Sequence, residues 1–146
     1  MHDVPRQLTL DELAELFEGR TRFVERLAEL DDPLGEARQV ASRLSDEEKV
    51  EVLNAHPPIG QTAGLSTTSA SEQGTDEDPA ILTALAKLNR AYEEKFGFRF
   101  VVFVNRRPRG EIVHVLRERL GRAREQELET ALNELVAIAE DRLAHR

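Results

Sequence analysis

The chain has 146 residues, with 20 Lys or Arg and 28 Asp or Glu, so its formal net charge is −8 at pH 7. A chain of this length buries roughly 70% of its unfolded surface, and we expect one domain over residues 1–146. It contains no cysteine, which excludes disulfides, thiolate nucleophiles and zinc–thiolate sites. The acidic charge argues against a nucleic-acid partner. No long apolar run or secretory signal is present, so we expect no membrane association and a cytoplasmic protein.

The first third of the chain predicts four short helices. Capping boxes, in which Ser or Thr is followed three residues later by Glu, open the first helix at Thr9 and the fourth at Ser45. We expect Gly19 to end the first helix and the prolyl segment 31–33 to end the second. The third is expected over about residues 34–44.

A long polar segment follows the fourth helix. That helix is expected to end near His56, because Pro57 and Pro58 cannot continue it. Residues 56–78 form a stretch of 23 residues rich in Gly, Ser, Thr and Pro, with almost no apolar periodicity. Loops of this length within a domain are usually functional or disordered, and we expect this one to be functional.

The second half predicts three helices around one extended segment. Asp78-Pro79 is expected to open a long helix that Gly97 ends. Residues 98–105 are aromatic and β-branched like a strand, but the sequence offers no strand to pair with them, so we expect a buried extended segment. A turn at 106–110 precedes two helices, the last with apolar residues over 128–143. The prediction is an all-α, single-domain helical bundle.

His56 is the first candidate for chemistry. The prolines that follow it fix the backbone, so the imidazole would be presented rigidly beside the polar loop. Histidine is also the side chain best suited to exchange protons near neutral pH. The alternative is a histidine that only satisfies the last carbonyls and the dipole of its helix.

The string Ser69-x-x-Glu72-Gln73 in the same loop is the second candidate. It gathers a hydroxyl, a carboxylate and an amide on a turn whose N–H groups could bind an anion. The alternative is a capping box that starts a short helical turn.

Arg142 is the third candidate. At 100° per residue it falls beside Leu135, at the edge of the apolar stripe of the last helix rather than on its polar face. A guanidinium there must either extend outward to water or meet an acid or an anionic ligand, because an unpaired buried charge is costly. The spacing of the residues leaves both open.

Four strings in this order and spacing resemble the OHCU decarboxylases, the 2-oxo-4-hydroxy-4-carboxy-5-ureidoimidazoline decarboxylases of urate breakdown. They are His56-Pro57-x-Ile59-Gly60, Ser69-x-x-Glu72-Gln73, Leu88-Asn89-x-x-Tyr92-x-x-Lys95-Phe96-Gly97-Phe98-x-Phe100, and Glu111-Ile112 with a final helix closing on Arg142-Leu143. The resemblance covers almost the whole chain. It implies an all-α, cofactor-free carboxy-lyase, usually a homodimer, that removes CO2 from a small anionic ureidoimidazoline and protonates the product to (S)-allantoin.

The resemblance also assigns functional residues. His56 matches the family's catalytic histidine, Glu72 its essential carboxylate and Arg142 the arginine that holds the substrate. The residues in substrate-contacting motifs are Pro57, Ser69 and Gln73, together with the segment Phe100, Val101, Val102, Phe103 and Val104, whose backbone lines the pocket. No metal ligand is implied. Arg99 departs from the family pattern, since it replaces a proline, and the stretch between His56 and Ser69 is shorter than in many relatives.

Two other functions compete with the decarboxylase. One is a non-catalytic helical interaction module, which should expose an apolar patch. The other is a hydrolase whose metal is held by His56 and Glu72.

Overall fold

The computed structural model of the chain describes residues 7–57 and 79–145. The described residues contain helices but no β-strand, which confirms the predicted all-α class. In chain order the helices are α1 (Leu10–Leu16), α2 (Arg22–Leu27), α3 (Pro33–Ser42), α4 (Asp46–Ala55), α5 (Pro79–Phe96), α6 (Arg109–Leu120) and α7 (Arg124–Ala144).

Both predicted capping boxes are present. The Thr9 hydroxyl accepts from the Glu12 N–H at 3.1 Å, and the Glu12 carboxylate accepts from the Thr9 N–H at 3.0 Å. Ser45 and Glu48 make the same reciprocal pair at 3.1 and 3.0 Å. Each pair satisfies two N–H groups that a helix start leaves without a partner, which fixes where α1 and α4 begin.

The end of α1 differs from the prediction. The helix stops at Leu16, and Glu18 rather than Gly19 adopts the left-handed backbone, with φ of 63°. Gly19 serves close packing instead, because a Cβ on it would lie 3.3 Å from the Cβ of Ala55. The missing side chain lets the corner between α1 and α2 approach the C-terminal end of α4.

One hydrophobic cluster contains buried residues from all seven helices. The segment that follows α5 runs through it without forming a helix or a strand, as predicted, and five of its side chains are buried: Phe98, Phe100, Val101, Val102 and Val104. Gly97, with φ of 82°, makes the left-handed turn between α5 and this segment.

The turn after the extended segment is shorter than predicted. Asn105 and Arg106 form it in left-handed backbone conformations, and α6 already begins at Arg109. Arg109 is buried rather than solvated. The predicted cap of α5, Asp78, and nearly all of the predicted loop at 56–78 lie outside the described residues.

Candidate active site

His56 ends α4 as predicted. Its backbone leaves the helix at φ −81° and ψ 135°, while its N–H still donates to the Leu53 carbonyl at 3.2 Å. The side chain is partly buried, and its Nδ1 atom is buried without a hydrogen-bond partner among the described residues. Nδ1 therefore does not satisfy a carbonyl of the helix, and this observation favours the functional interpretation of His56.

The last carbonyls of α4 are satisfied by Arg99. The Arg99 guanidinium donates to the carbonyls of Asn54 at 2.9 Å and His56 at 3.0 Å, and its backbone N–H donates to the Asn54 side chain at 3.0 Å. The arginine that departs from the family pattern thus joins the start of the extended segment to the backbone of His56. The departure adds contacts to this corner of the molecule.

Arg142 lies in the last turn of α7, with only 4% of its side chain exposed. One terminal nitrogen donates to the carbonyl of Leu16 at 2.9 Å and lies 3.2 Å from a carboxylate oxygen of Glu18. The guanidinium is therefore drawn inward to the end of α1. Of the two alternatives left open by the sequence, extension of Arg142 to water is wrong.

His56 and Arg142 belong to one electrostatic environment. Burial, together with the nearby positive charges of Arg142 and Arg99, lowers the pKa of His56 to about 4, against the opposing effect of Glu18. The imidazole is therefore neutral at pH 7. A neutral base beside a buried cation can bind an anion and accept a proton from it.

The extended segment is held by arginines from α6 and the preceding turn. The Val101 carbonyl accepts from Arg119 at 2.8 Å, and the Phe103 carbonyl accepts from Arg107 at 2.7 Å. Between them, the N–H and C=O of Val102 make no hydrogen bond to a described residue, although Val102 is buried. Buried backbone groups are normally paired, so the Val102 N–H and C=O are two groups that a ligand could pair with.

Sequence reasoning missed a buried polar network next to this segment. Glu127, fully buried, accepts from the Tyr92 hydroxyl at 2.6 Å and from Arg119 Nε at 2.7 Å. A signal was available: Arg119 shares a helix stripe with Ile112 and Leu116, and Glu127 lies in one row with Ala131, at the border of the buried face of α7. Glu18 was also missed, and it gave no signal because glutamate rarely adopts a left-handed backbone.

Several predicted site residues are not placed. Ser69, Glu72 and Gln73 lie outside the described residues, whereas Pro57 directly follows His56 and is partly buried. Within residues 7–57 and 79–145, no group of three or more His, Asp or Glu is arranged to hold a metal ion. No helix in that part of the chain combines the length and apolarity needed to cross a bilayer.

A second concave region lies away from His56. It is a groove of about 580 Å³ between α3, the start of α4 and the first half of α7. Two of its three cationic side chains have acidic partners, since Arg124 pairs with Asp46 at 2.7 Å and Arg38 with Glu140 at 3.0 Å, and the third is Lys49. The site at His56 and Arg142 is the better candidate because it combines a buried cation with an imidazole nitrogen that has no partner among the described residues.

Comparison with known proteins identifies the family of the chain. A sequence model of the OHCU decarboxylase family matches residues 3–144. The chain is 36% identical over 103 residues to 2-oxo-4-hydroxy-4-carboxy-5-ureidoimidazoline decarboxylase of Halalkalicoccus jeotgali, covering 68% of this chain and 58% of that protein. The protein of the same name from Haloferax volcanii is 28% identical, with 94% of this chain and 88% of that protein covered.

A solved structure gives the same result for the fold. A crystal structure of OHCU decarboxylase in the presence of (S)-allantoin superimposes with a TM-score of 0.74 at 26% identity, covering 92% of this chain and 96% of that one. The agreement therefore extends along the sequence and through the three-dimensional arrangement of the helices. The chain belongs to the OHCU decarboxylase family.

Proposed function

We propose that this chain decarboxylates 2-oxo-4-hydroxy-4-carboxy-5-ureidoimidazoline to (S)-allantoin in urate degradation, using His56, Glu72 and Arg142 and no cofactor. Family membership supports the reaction. The observation that supports the residue roles is the placement of a buried cation, Arg142, beside an imidazole whose buried Nδ1 has no partner among the described residues.

Arg142 binds the anionic substrate. The protein carries a net charge of −8, so its long-range field repels an anion, and binding needs a local cation. The guanidinium is anchored to Leu16 and Glu18 through one terminal nitrogen. Anchoring reduces the entropy lost when an arginine grips a carboxylate, which favours tight and oriented binding.

Decarboxylation breaks the bond between the ring carbon and the carboxylate and leaves an electron pair on that carbon. The pair is delocalised into the adjacent unsaturated part of the substrate's own ring as CO2 departs. Hydrogen-bond donors that meet the developing negative charge lower the barrier, and the unpaired peptide of Val102 is a candidate for this role. A proton delivered from one face then gives a single enantiomer.

His56 manages the proton transfers. Its imidazole is neutral at pH 7 because its pKa is lowered to about 4 by burial and by Arg142, so it accepts a proton from the bound substrate before it returns one. Glu72 orients the imidazole or the ureido group. Pro57, Ser69 and Gln73, with the backbone of Phe100–Val104, complete the substrate contacts.

The family resemblance supports a homodimer, and we propose that the chain acts as a cytoplasmic homodimer with one domain over residues 1–146. Sedimentation equilibrium of the purified chain tests the oligomeric state. A mass of twice 16.5 kDa is expected, and a monomer at micromolar concentration would contradict the assignment.

The activity is tested by generating the ureidoimidazoline from urate in situ, with chelator present, and following the circular dichroism of allantoin. An optical signal that grows faster than the spontaneous reaction is expected. Racemic product at the spontaneous rate would contradict the proposed function. Activity that is lost on chelation and restored by a divalent ion would support the competing metal-dependent reading.

The role of His56 is tested in the same assay. His56→Ala is expected to lower kcat by at least about 100-fold, the usual contribution of a positioned acid or base. His114→Ala is the matched control, because His114 lies exposed on α6. Retained turnover in His56→Ala, or equal losses in the two variants, would remove His56 from the mechanism.

A further inference from the structure

The corner between α1 and α2 approaches the site closely. Gly19 lies against Ala55, at a distance that leaves little room for a side chain, and Ala55 directly precedes His56. The Leu16 carbonyl, at the end of α1, accepts a hydrogen bond from Arg142. The corner thus contacts elements that carry two of the proposed catalytic residues.

Glu18 occupies this corner in a conformation that costs free energy. Its φ of 63° lies in the left-handed region, which is unfavourable for any residue with a Cβ and is readily adopted only by glycine. Gly19, next to it, would tolerate that conformation without strain, yet Glu18 adopts it. Non-glycine residues in such conformations are concentrated at functional sites.

The strained backbone directs the Glu18 side chain inward. Its carboxylate lies 3.2 Å from the terminal nitrogen of Arg142 that also donates to Leu16, and only 17% of the side chain is exposed. That nitrogen has two hydrogens, so the carbonyl and the carboxylate together fix its direction. A planar guanidinium that is fixed at one nitrogen has the orientation of its other donors fixed as well.

We propose that Glu18 is a positioning residue of the decarboxylase site, which orients Arg142 toward the substrate carboxylate. The proposal rests on the proposed function for its catalytic consequence, but the contact itself is independent of it. Glu18 acts through Arg142 and does not touch the reacting atoms. Its loss should therefore weaken substrate binding more than it slows the chemical step.

The decisive variant is Glu18→Gly, because glycine relieves the backbone strain while it removes the carboxylate. We expect a urea midpoint below the parent's, because the buried Arg142 loses its carboxylate, but above that of Glu18→Ala, which keeps the backbone strain. KM should rise about tenfold or more and kcat should stay within about threefold of the parent, as uniform loss of binding predicts. Arg106→Gly is the matched control, since Arg106 also has φ of 63° but lies in an exposed turn. It should gain stability without a change in KM.

A conservative variant, Glu18→Gln, and a double-mutant cycle with Arg142→Met complete the test. Glu18→Gln keeps an acceptor for Arg142 and should recover part of the KM loss. In an Arg142→Met background, Glu18→Gly should change kcat/KM no further, because its effect passes through the arginine. An unchanged KM in Glu18→Gly, or an additional loss in the double variant, would overturn the proposal.

The contact between Glu18 and Arg142 is tested separately, by measuring resistance to urea. Urea midpoints of Glu18→Gly, Arg142→Met and the double variant should be non-additive if the ion pair exists, and additive midpoints would overturn the proposal. This cycle does not depend on turnover. A parent protein that forms no allantoin therefore overturns the proposed function, while the cycle still decides whether Glu18 holds Arg142.

Discussion

The described residues contain two ion pairs, Arg119–Glu127 and Arg142–Glu18, whose arginines are equally buried. Comparing the two pairs distinguishes an arginine that supports packing from one that is proposed to act in the site. Arg119 and Arg142 each expose 4% of the side chain, but Glu127, the partner of Arg119, exposes none and Glu18 exposes 17%. Glu127 is enclosed by Tyr92 and the aromatic side chains around the extended segment. Glu18 sits on a strained corner beside His56.

The surroundings of the two arginines give them different tasks. The Arg119 guanidinium stacks 4.6 Å from the Phe100 ring centroid, donates to the Val101 carbonyl and meets Glu127. It holds the segment whose backbone is proposed to line the pocket. Arg142 borders an imidazole with a buried, unpaired nitrogen. The first pair holds the segment that is proposed to line the pocket, and the second is part of the proposed site itself.

The largest effect is expected from breaking the enclosed pair. Glu127→Ala leaves the buried Arg119 without its carboxylate and should lower the free energy of unfolding by about 3–5 kcal/mol. Urea denaturation measures the loss. Arg119→Met combined with Glu127→Leu should recover most of it, because two apolar side chains need no partner. A loss below about 1 kcal/mol in Glu127→Ala would show that Arg119 finds another partner.

At the Arg142–Glu18 pair we expect the opposite: a large loss of activity and a small loss of stability. Arg142→Met should lower kcat/KM by about 100- to 1000-fold, corresponding to about 3–4 kcal/mol of binding to the substrate anion. The free energy of unfolding should change by no more than about 2 kcal/mol, since the partly exposed Glu18 can be hydrated once its partner is removed. A loss of stability as large as that expected for Glu127→Ala, with little change in kcat/KM, would place Arg142 among the packing residues.

The pH dependence of stability should separate His56 from the exposed histidines. Its pKa is about 4 in the folded protein, against 6.5 in an unfolded chain, so the unfolded state binds the proton first as the pH falls. Stability is therefore full above pH 6.5, and about 1–3 kcal/mol is lost between pH 6.5 and 4. The measurement is the difference between the parent and His56→Gln across this range. Parallel pH profiles would show that the imidazole is not desolvated.

The sequence predicted the helices and their caps better than the backbone conformation of the corners between them. Capping boxes at Thr9 and Ser45 and the glycine at 97 have local causes, and each was confirmed. The left-handed Glu18 was not predictable, because its strain is offset by the distant Arg142 and not by its neighbours. The position of Arg142 at the edge of an apolar helix stripe made it a candidate, and the same argument, applied to every charged residue, would also have found Arg119 beside Ile112 and Leu116.

The smallest structural change, the removal of one hydroxyl group, tests whether Tyr92, Glu127 and Arg119 stabilise the protein as one network. Tyr92→Phe removes the hydroxyl that donates to Glu127 at 2.6 Å and keeps the ring contacts with Phe96, Phe98 and Phe100. The loss of one hydrogen bond to a charged group should lower the free energy of unfolding by about 1.5–3 kcal/mol, less than the loss of the carboxylate itself. KM should be unchanged, because Arg119 still holds the Val101 carbonyl. A raised KM in Tyr92→Phe would mean that the network of Tyr92, Glu127 and Arg119 affects substrate binding as well as holding the extended segment. The distinction between a packing pair and a site pair would then be wrong.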